Sequence, residues 1–327
     1  MTGILRVPGL LTPGYRMTIM KLPKRIADIL NQKQAFIDAQ RNRLENTVVK
    51  LQSQLYGDII SDLISELDVV DGIIVDSAKN FRLLSVLDKT YKDFQITSSK
   101  IVLGMVISTT EQIAEKNNSY FSEMEEVVPD KAKKLTDLQL GISNGELVAG
   151  GYLLSFFRSN QLSTSLKDMT AKAITSNSPV KGYTKDLKRM VTGGVKQGGL
   201  EKQYQNFYDI YQHYDAAYNL TVGNQFGYKY FIYQGGLILD SRDFCAAHND
   251  KVWSRIESDS WPTWVPADGE YPSGYEVKQK SMYAVPSYIG YAGYDPLINR
   301  GGYNCRHSLG WIPDELAFKL RPSLKLT

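Results

Sequence analysis

Both cysteines of this 327-residue chain, and two of its three histidines, fall in two short patches near the C-terminus. The first patch contains Cys245 and His248, and the second contains Cys305 and His307. Residue types that are rare elsewhere in a chain and concentrated in two places are expected to meet in space. The sequence therefore predicts that the C-terminal part folds around the contact between these two patches.

The four side chains of these patches offer a donor set that suits a metal ion. Thiolates and imidazoles are the usual ligands of tetrahedral zinc, and the spacing of Cys245 and His248 is acceptable for a ligand pair. In an extended segment Cys305 and His307 point to the same side. The residues therefore predict a structural zinc site at all four positions.

Three other interpretations of these residues stay open. The cysteines can be small buried hydrophobes beside hydrogen-bonded histidines, or they can form a disulfide, which a cytoplasm disfavours. Cys245 can also pair with a histidine as nucleophile and base, with nearby carboxylates that help to hold a metal, namely Asp240, Asp243 and Asp250. No hydrolase, metalloprotease or phosphate-loop motif supports the catalytic interpretation, so we expect that the chain is not an enzyme.

Composition and charge are typical of a protein without a membrane span or a disulfide framework. Two cysteines are too few for such a framework, and no apolar run reaches the length of a transmembrane helix. The sequence has no visible signal peptide, so we expect synthesis in a cytoplasm. Residues 1–50 carry a net charge of +6 and residues 51–80 one of −5. This contrast favours self-complementary packing or a charged partner over a DNA-binding face.

The first half of the chain has a helical pattern. Residues 1–22 indicate an extended arm, residues 23–140 a helical region for assembly contacts, and residues 141–180 a glycine-rich hinge followed by a helix. Apolar residues at intervals of three and four predict one stripe on a long helix: Leu44, Val48, Leu51, Leu55, Ile59, Leu63 and Leu67. The polar run at 40–43 leaves open whether this helix is continuous. A weaker stripe is predicted at Ile101, Met105, Ser108 and Ile113.

The second half changes from helical to strand periodicity. Residues 181–312 predict a smaller domain that contains a tyrosine-rich helix at 203–220, a β-hairpin at 228–240 and a strand at 252–253. The long segment at 260–302 is rich in aromatic residues and proline and predicts a loop that needs a fixed anchor. Residues 313–327 indicate a C-terminal tail. The predicted fold class is α+β, with a long helical N-terminal region.

The two patches resemble the C-terminal signature of a family of tailed-phage minor head proteins, the phage Mu protein F-like head-morphogenesis family. That signature has the form D-x-R-x-x-C-x-x-C, followed downstream by N-C-R-C or a close variant. His248 and His307 stand where the family has cysteines, and both replacements exchange one zinc ligand for another. The resemblance covers residues 181–312. The matching residues are Asp240, Arg242 and Cys245 in the first half, and Asn304, Cys305 and Arg306 in the second.

The resemblance implies a structural virion protein, made in the host cytoplasm and located in the head near the portal. Its partners would be the portal and capsid proteins, in several copies, with indirect contact to packaged DNA and none to a membrane. It would act in head morphogenesis or DNA packaging. Asp240, Arg242, Asn304 and Arg306 would support the metal site. The alternative class is a metal-dependent enzyme or toxin-like effector, for example a nuclease, that uses the same cysteines and histidines.

Overall fold

A computed structural model of the protein describes residues 22–125, 131–143, 146–148, 161–193, 210–237, 243–261, 295–301 and 305–326. The predicted arm at 1–22 lies almost wholly outside these residues. Most of the predicted aromatic loop and much of the glycine-rich hinge also lie outside them. The described residues form two compact units. One contains residues 22–34, 119–125 and 222–326, and the other contains residues 35–118 and 131–221.

Helix α1 spans Lys24–Asp62 without a break and confirms the predicted long helix. Each of the seven residues of the predicted stripe is at most 8% exposed. The polar run at 40–43 does not interrupt the helix because its residues are compatible with helical structure. Arg41 is buried and pairs with Glu45 one turn further on, with Nε and Oε1 3.0 Å apart, a spacing that stabilises helices.

A short hairpin follows α1, after a single 3₁₀ turn at Ile64–Glu66. Strand β1, Val69–Val70, pairs with strand β2, Ile73–Ile74, in antiparallel register. The two turn residues between them both have positive φ, 50° at Asp71 and 78° at Gly72. Such a turn favours aspartate and glycine at these positions, in agreement with the break that the sequence shows there.

Helix α2 spans Ala78–Phe121. The predicted weaker stripe on this helix is only partly correct. Ile113 is buried as predicted, but Ile101 is 42% exposed and the buried face passes through Val102 and Val106 instead. This face also contains the buried hydroxyl residues Ser98 and Thr110, which bond to carbonyls three residues earlier. Hydroxyls that are satisfied in this way can be buried, so a pattern of apolar residues alone misplaced part of the stripe by one position.

The remaining helices and strands between α2 and the C-terminal sheet are short. Helix α3 is Lys131–Leu140, and strands β3 and β4, Ile142–Ser143 and Glu146–Leu147, pair in antiparallel register. Helices α4, α5 and α6 are Gln161–Thr175, Val180–Thr192 and Ile210–Gln225. Helix α6 confirms the tyrosine-rich helix from Ile210 onwards, residues 203–209 lie outside the described part of the chain, and its buried tyrosines are Tyr211, Tyr214 and Tyr218.

A three-stranded antiparallel sheet organises the unit that contains the C-terminus. Strand β5, Tyr230–Gln234, lies between β6, Lys251–Ser254, and β7, Ser308–Ile312. The strand predicted at 252–253 is therefore confirmed as β6. The antiparallel partners of β5 are β6 and β7, whereas the strand periodicity predicts a partner at 237–240. Residues 238–240 lie outside the described part of the chain.

The short helices of this unit follow or precede the strands. Helix α7 is Asp243–His248, α8 is Arg255–Ser258, α9 is Pro296–Asn299 and α10 is Asp314–Leu320. Residues 314–326, assigned to a tail from the sequence, form α10 and a 3₁₀ helix at Pro322–Leu326. They pack on one face of the sheet, where Ala317 and Leu324 join Ile232, Val252 and Ile312 in a hydrophobic cluster. The α+β fold class is thus confirmed.

Candidate metal centre

The four predicted ligands lie on two segments of the C-terminal unit. Cys245 and His248 are on α7, and Cys305 and His307 are in the extended residues that lead into β7. Strand β5 lies between β6, which follows α7, and β7, and its Tyr233 pairs in register with Lys251 and Leu309. Successive side chains of a strand alternate between the faces of a sheet. Tyr233 therefore points away from the cluster that contains Ile232.

Three of the four predicted ligands meet. The ligand atoms of Cys245, Cys305 and His307 all lie within 4.8 Å of one another, and all three residues are buried. The Cys305 Sγ is 3.7 Å from the His307 Nδ1. The phenol oxygen of Tyr233 is 3.5 Å from the Cys245 Sγ and 3.4 Å from the Cys305 Sγ. Both cysteines are free thiols in this structure. We call these three residues the thiol–imidazole cluster.

His248 is not part of the thiol–imidazole cluster. Its Nδ1 is hydrogen-bonded to the carbonyl of Phe244, 2.7 Å away on the preceding turn. Its ring stacks on Phe244 and Trp253, with centroids 3.9 and 4.5 Å apart, and meets the edge of Trp261. The structure therefore places His248 in an aromatic box next to the cluster.

The predicted supporting residues contribute little that the structure describes. Asp240, Arg242 and Asn304 lie outside the described residues. Arg306 is described and partly buried between Cys305 and His307. The support that the structure does show comes from Tyr233 and from glycines that allow close approach, and none of these residues was predicted as part of the site from the sequence.

Two glycines bring the backbone close to the cluster. A Cβ at Gly301 would be 2.7 Å from the Cys245 Sγ and 3.2 Å from the Cys305 Sγ. A Cβ at Gly235 would be 2.7 Å from the His307 Cδ2. Glycine is the residue that permits such approaches. Both glycines occur in Gly-Gly pairs next to predicted elements, which is the sequence signal that identifies them.

Electrostatics within the cluster favour a thiolate at Cys305. The hydrogen bond from the Cys245 thiol, assisted by His307 and the Arg300 guanidinium, holds the pKa of Cys305 well below its usual value despite burial. Burial and the two sulfurs raise the pKa of Tyr233 well above its usual value. Burial lowers the pKa of His248 to about 4, so this ring is neutral at pH 7. Metal ions bind cysteine as the thiolate, so the lowered pKa of Cys305 favours metal binding.

The donor atoms fit a tetrahedral cation. With Zn–S near 2.3 Å and Zn–N near 2.0 Å, tetrahedral geometry separates a sulfur from a nitrogen ligand by about 3.5 Å. The Cys305 Sγ and His307 Nδ1 are 3.7 Å apart. The Nε2 of His307 is buried and has no hydrogen-bond partner among the described residues. Two sulfurs and one imidazole are also the donor types that select zinc over magnesium or calcium.

Comparisons with known proteins add no relative: no family model, no curated protein and no solved structure matches this chain. Among the residues that the structure describes, no helix combines the length and the hydropathy that crossing a membrane requires.

Proposed function

We propose that this chain is a structural virion protein of the tailed-phage minor head class. In this proposal it is located in the head near the portal, contacts portal and capsid proteins in several copies, and acts in head morphogenesis or DNA packaging. A zinc ion held by Cys245, Cys305 and His307 stabilises its C-terminal unit. The long helical region at 23–140, and α1 above all, provides the assembly contacts.

The observation that supports this proposal is the convergence of Cys245, Cys305 and His307. The two halves of the family signature are far apart in the sequence, and their cysteines nevertheless lie in one buried cluster. Residues that matched the signature only by chance would not be expected to lie close together in the fold.

A metal at this cluster would act as a staple between segments. It would join α7 to the residues that enter β7, on the two sides of the central strand β5. The free energy of binding a structural metal is also free energy of folding, because the unfolded chain has no preformed site. A small three-stranded sheet benefits from such a link, since few strands bury little apolar surface.

One observation favours the alternative class, an enzyme or effector. The lowered pKa of the Cys305 thiol is a property of reactive cysteines. However, catalytic zinc sites keep one position open for substrate, and a nucleophile must reach its substrate. Cys245, Cys305 and His307 are at most 4% exposed, and Gly301 lies directly against the sulfurs. These facts favour the structural role.

Elemental analysis of the purified full-length chain, with a thiol count on the same sample, tests the metal part of the proposal. We expect about one zinc per chain and two thiols that react only after chelation. If no metal were found and both thiols reacted freely, the metal part of the proposal would be wrong.

Co-expression with the portal and capsid proteins of the encoding phage tests the virion part. We expect the chain to co-sediment with particles on a density gradient. Cys305→Ser should reduce its incorporation together with its thermal stability. A chain that remains in the soluble fraction while particles form would contradict the minor-head assignment.

A further inference from the structure

The phenol oxygen of Tyr233 faces both sulfurs of the thiol–imidazole cluster at nearly equal distances, 3.5 Å to Cys245 and 3.4 Å to Cys305. Tyr233 is fully buried on the central strand. Its ring stacks on His307 with centroids 4.8 Å apart and meets the edge of Trp261 at 5.6 Å. The oxygen is therefore held in place by packing on more than one side.

The proton count of this arrangement changes when a metal binds. In the metal-free protein a thiol and a phenol can share hydrogen bonds, since each is both donor and acceptor. A metal ion binds cysteine as the thiolate, which accepts only. The phenol oxygen binds the same ion as the phenolate, so metal binding releases the phenol proton to solvent together with the thiol protons. The positive charge of the ion then offsets the negative charge of the two sulfurs and the oxygen.

The distances also match those between ligands of one ion. With Zn–S near 2.3 Å and Zn–O near 2.0 Å, tetrahedral geometry separates a sulfur from an oxygen ligand by about 3.5 Å. Both distances from Tyr233 agree with this value. His248, the fourth ligand predicted from the sequence, offers no ligand atom within 4.8 Å of those of all three other residues. Its ring is also enclosed by aromatic side chains.

We propose that the phenol oxygen of Tyr233 is the fourth ligand of a tetrahedral divalent cation held by Cys245, Cys305 and His307. This inference rests on the metal part of the proposed function. It replaces the predicted Cys-His-Cys-His set by two sulfurs, one nitrogen and one oxygen, all from a single buried cluster.

Three variants of the full-length chain separate the candidates. Tyr233→Phe removes only the oxygen, and His248→Phe removes the imidazole and preserves an aromatic ring against Phe244. Tyr183→Phe is the matched control, because Tyr183 is a buried tyrosine of α5 whose hydroxyl lies 2.7 Å from the Thr170 hydroxyl. Zinc affinity is measured by competition with a chelator, and the coordination of cobalt(II) is followed by its visible absorption spectrum.

We expect Tyr233→Phe to weaken zinc binding by at least tenfold. Loss of a supporting hydrogen bond can have an effect of this size, so the cobalt spectrum is decisive. In Tyr233→Phe the loss of one oxygen donor should shift the visible absorption bands of bound cobalt(II). His248→Phe and Tyr183→Phe should keep the wild-type cobalt spectrum.

Two results would overturn the inference. If Tyr233→Phe retained the wild-type cobalt spectrum, Tyr233 would be only a hydrogen-bonding neighbour. If His248→Phe shifted the cobalt bands instead, the sequence-predicted ligand would be correct. Failure of the metal proposal itself would give a different result, because the wild-type chain would then bind neither zinc nor cobalt.

Discussion

Gly301→Ala is the change that tests the closeness of the thiol–imidazole cluster most directly. The added Cβ would be 2.7 Å from the Cys245 Sγ, whereas ordinary van der Waals contact begins near 3.4 Å. It would also meet the Cys305 Sγ at 3.2 Å and the Tyr233 hydroxyl at 3.3 Å. These atoms belong to three different segments that pack against one another. One segment cannot move away without disturbing the others.

Overpacking of this kind costs about 1–3 kcal/mol in a well-packed core. We expect Gly301→Ala to lower the free energy of unfolding by that amount in chelator-treated protein, and to weaken zinc binding as the sulfurs move apart. Urea unfolding followed by tryptophan fluorescence is a suitable assay. All four tryptophans of the chain lie between residues 253 and 311, so the emission reports on the unit that contains the cluster.

Gly236→Ala is the matched control, because a Cβ at Gly236 meets nothing within 4 Å and this glycine belongs to the same unit. An exposed substitution without contacts should change stability by no more than about 0.5 kcal/mol. If Gly301→Ala were as stable as Gly236→Ala and bound zinc equally well, the close approach of Gly301 to the sulfurs would be refuted.

Three further predictions concern the same unit. Cys305→Ser should bind zinc at least tenfold more weakly, as chelator competition would show, and its melting temperature should no longer respond to chelator, because a ligand that binds only the folded state stabilises it. Burial lowers the pKa of His248 from 6.5 to about 4, so its neutral form contributes stability that is fully present above pH 6.5 and is lost as the pH falls towards 4. In metal-free protein, His248→Phe should therefore remove up to about 3 kcal/mol of this acid-induced loss from a series of urea curves. Tyr120→Phe should cost about 1 kcal/mol in the same assay, since the buried Tyr120 hydroxyl donates to the Trp311 carbonyl at 2.9 Å; an unchanged midpoint would contradict this.

Helix α1 shows how far the sequence pattern alone could lead. The predicted stripe from Leu44 to Ile59 lies along it, and each of its residues is buried. In α2 the same reasoning failed by one position at Ile101, although Ile113 is buried as predicted. Ser98 and Thr110 are buried there, and their hydroxyls are satisfied by the helix backbone. A pattern that counts only apolar residues cannot identify a face that contains such hydroxyls.

The residues of the candidate site could likewise be predicted only in part. Rarity identified Cys245, Cys305 and His307, because two cysteines and three histidines in a long chain are conspicuous. His248 passed the same test, and the structure places it elsewhere because Trp253 and Phe244 enclose its ring. Contacts of this kind depend on the tertiary fold, which residue spacing does not encode.

Tyr233 could not be identified by rarity, because the chain contains 21 tyrosines. Strand alternation predicts only that Tyr233 and Phe231 share a face of the sheet. The special position of Tyr233 comes from the pairing of β5 with both β6 and β7, which places its side chain between α7 and the residues that precede β7. The partner that the sequence suggested for β5 was a hairpin strand at 237–240, and that pairing would not have brought the three segments together.

The central position of β5 also connects the cluster to the C-terminal residues. Tyr233 faces the sulfurs, and Ile232 on the opposite face packs with Ala317 and Leu324. On the same side of the unit, Arg321 donates to both carboxylate oxygens of Glu257, at 2.7 and 3.0 Å, and to the Val252 carbonyl. Any force that displaces β5 must therefore disturb both faces. A metal at the cluster would thus stabilise α10 and the 3₁₀ helix through the strand, without touching either of them.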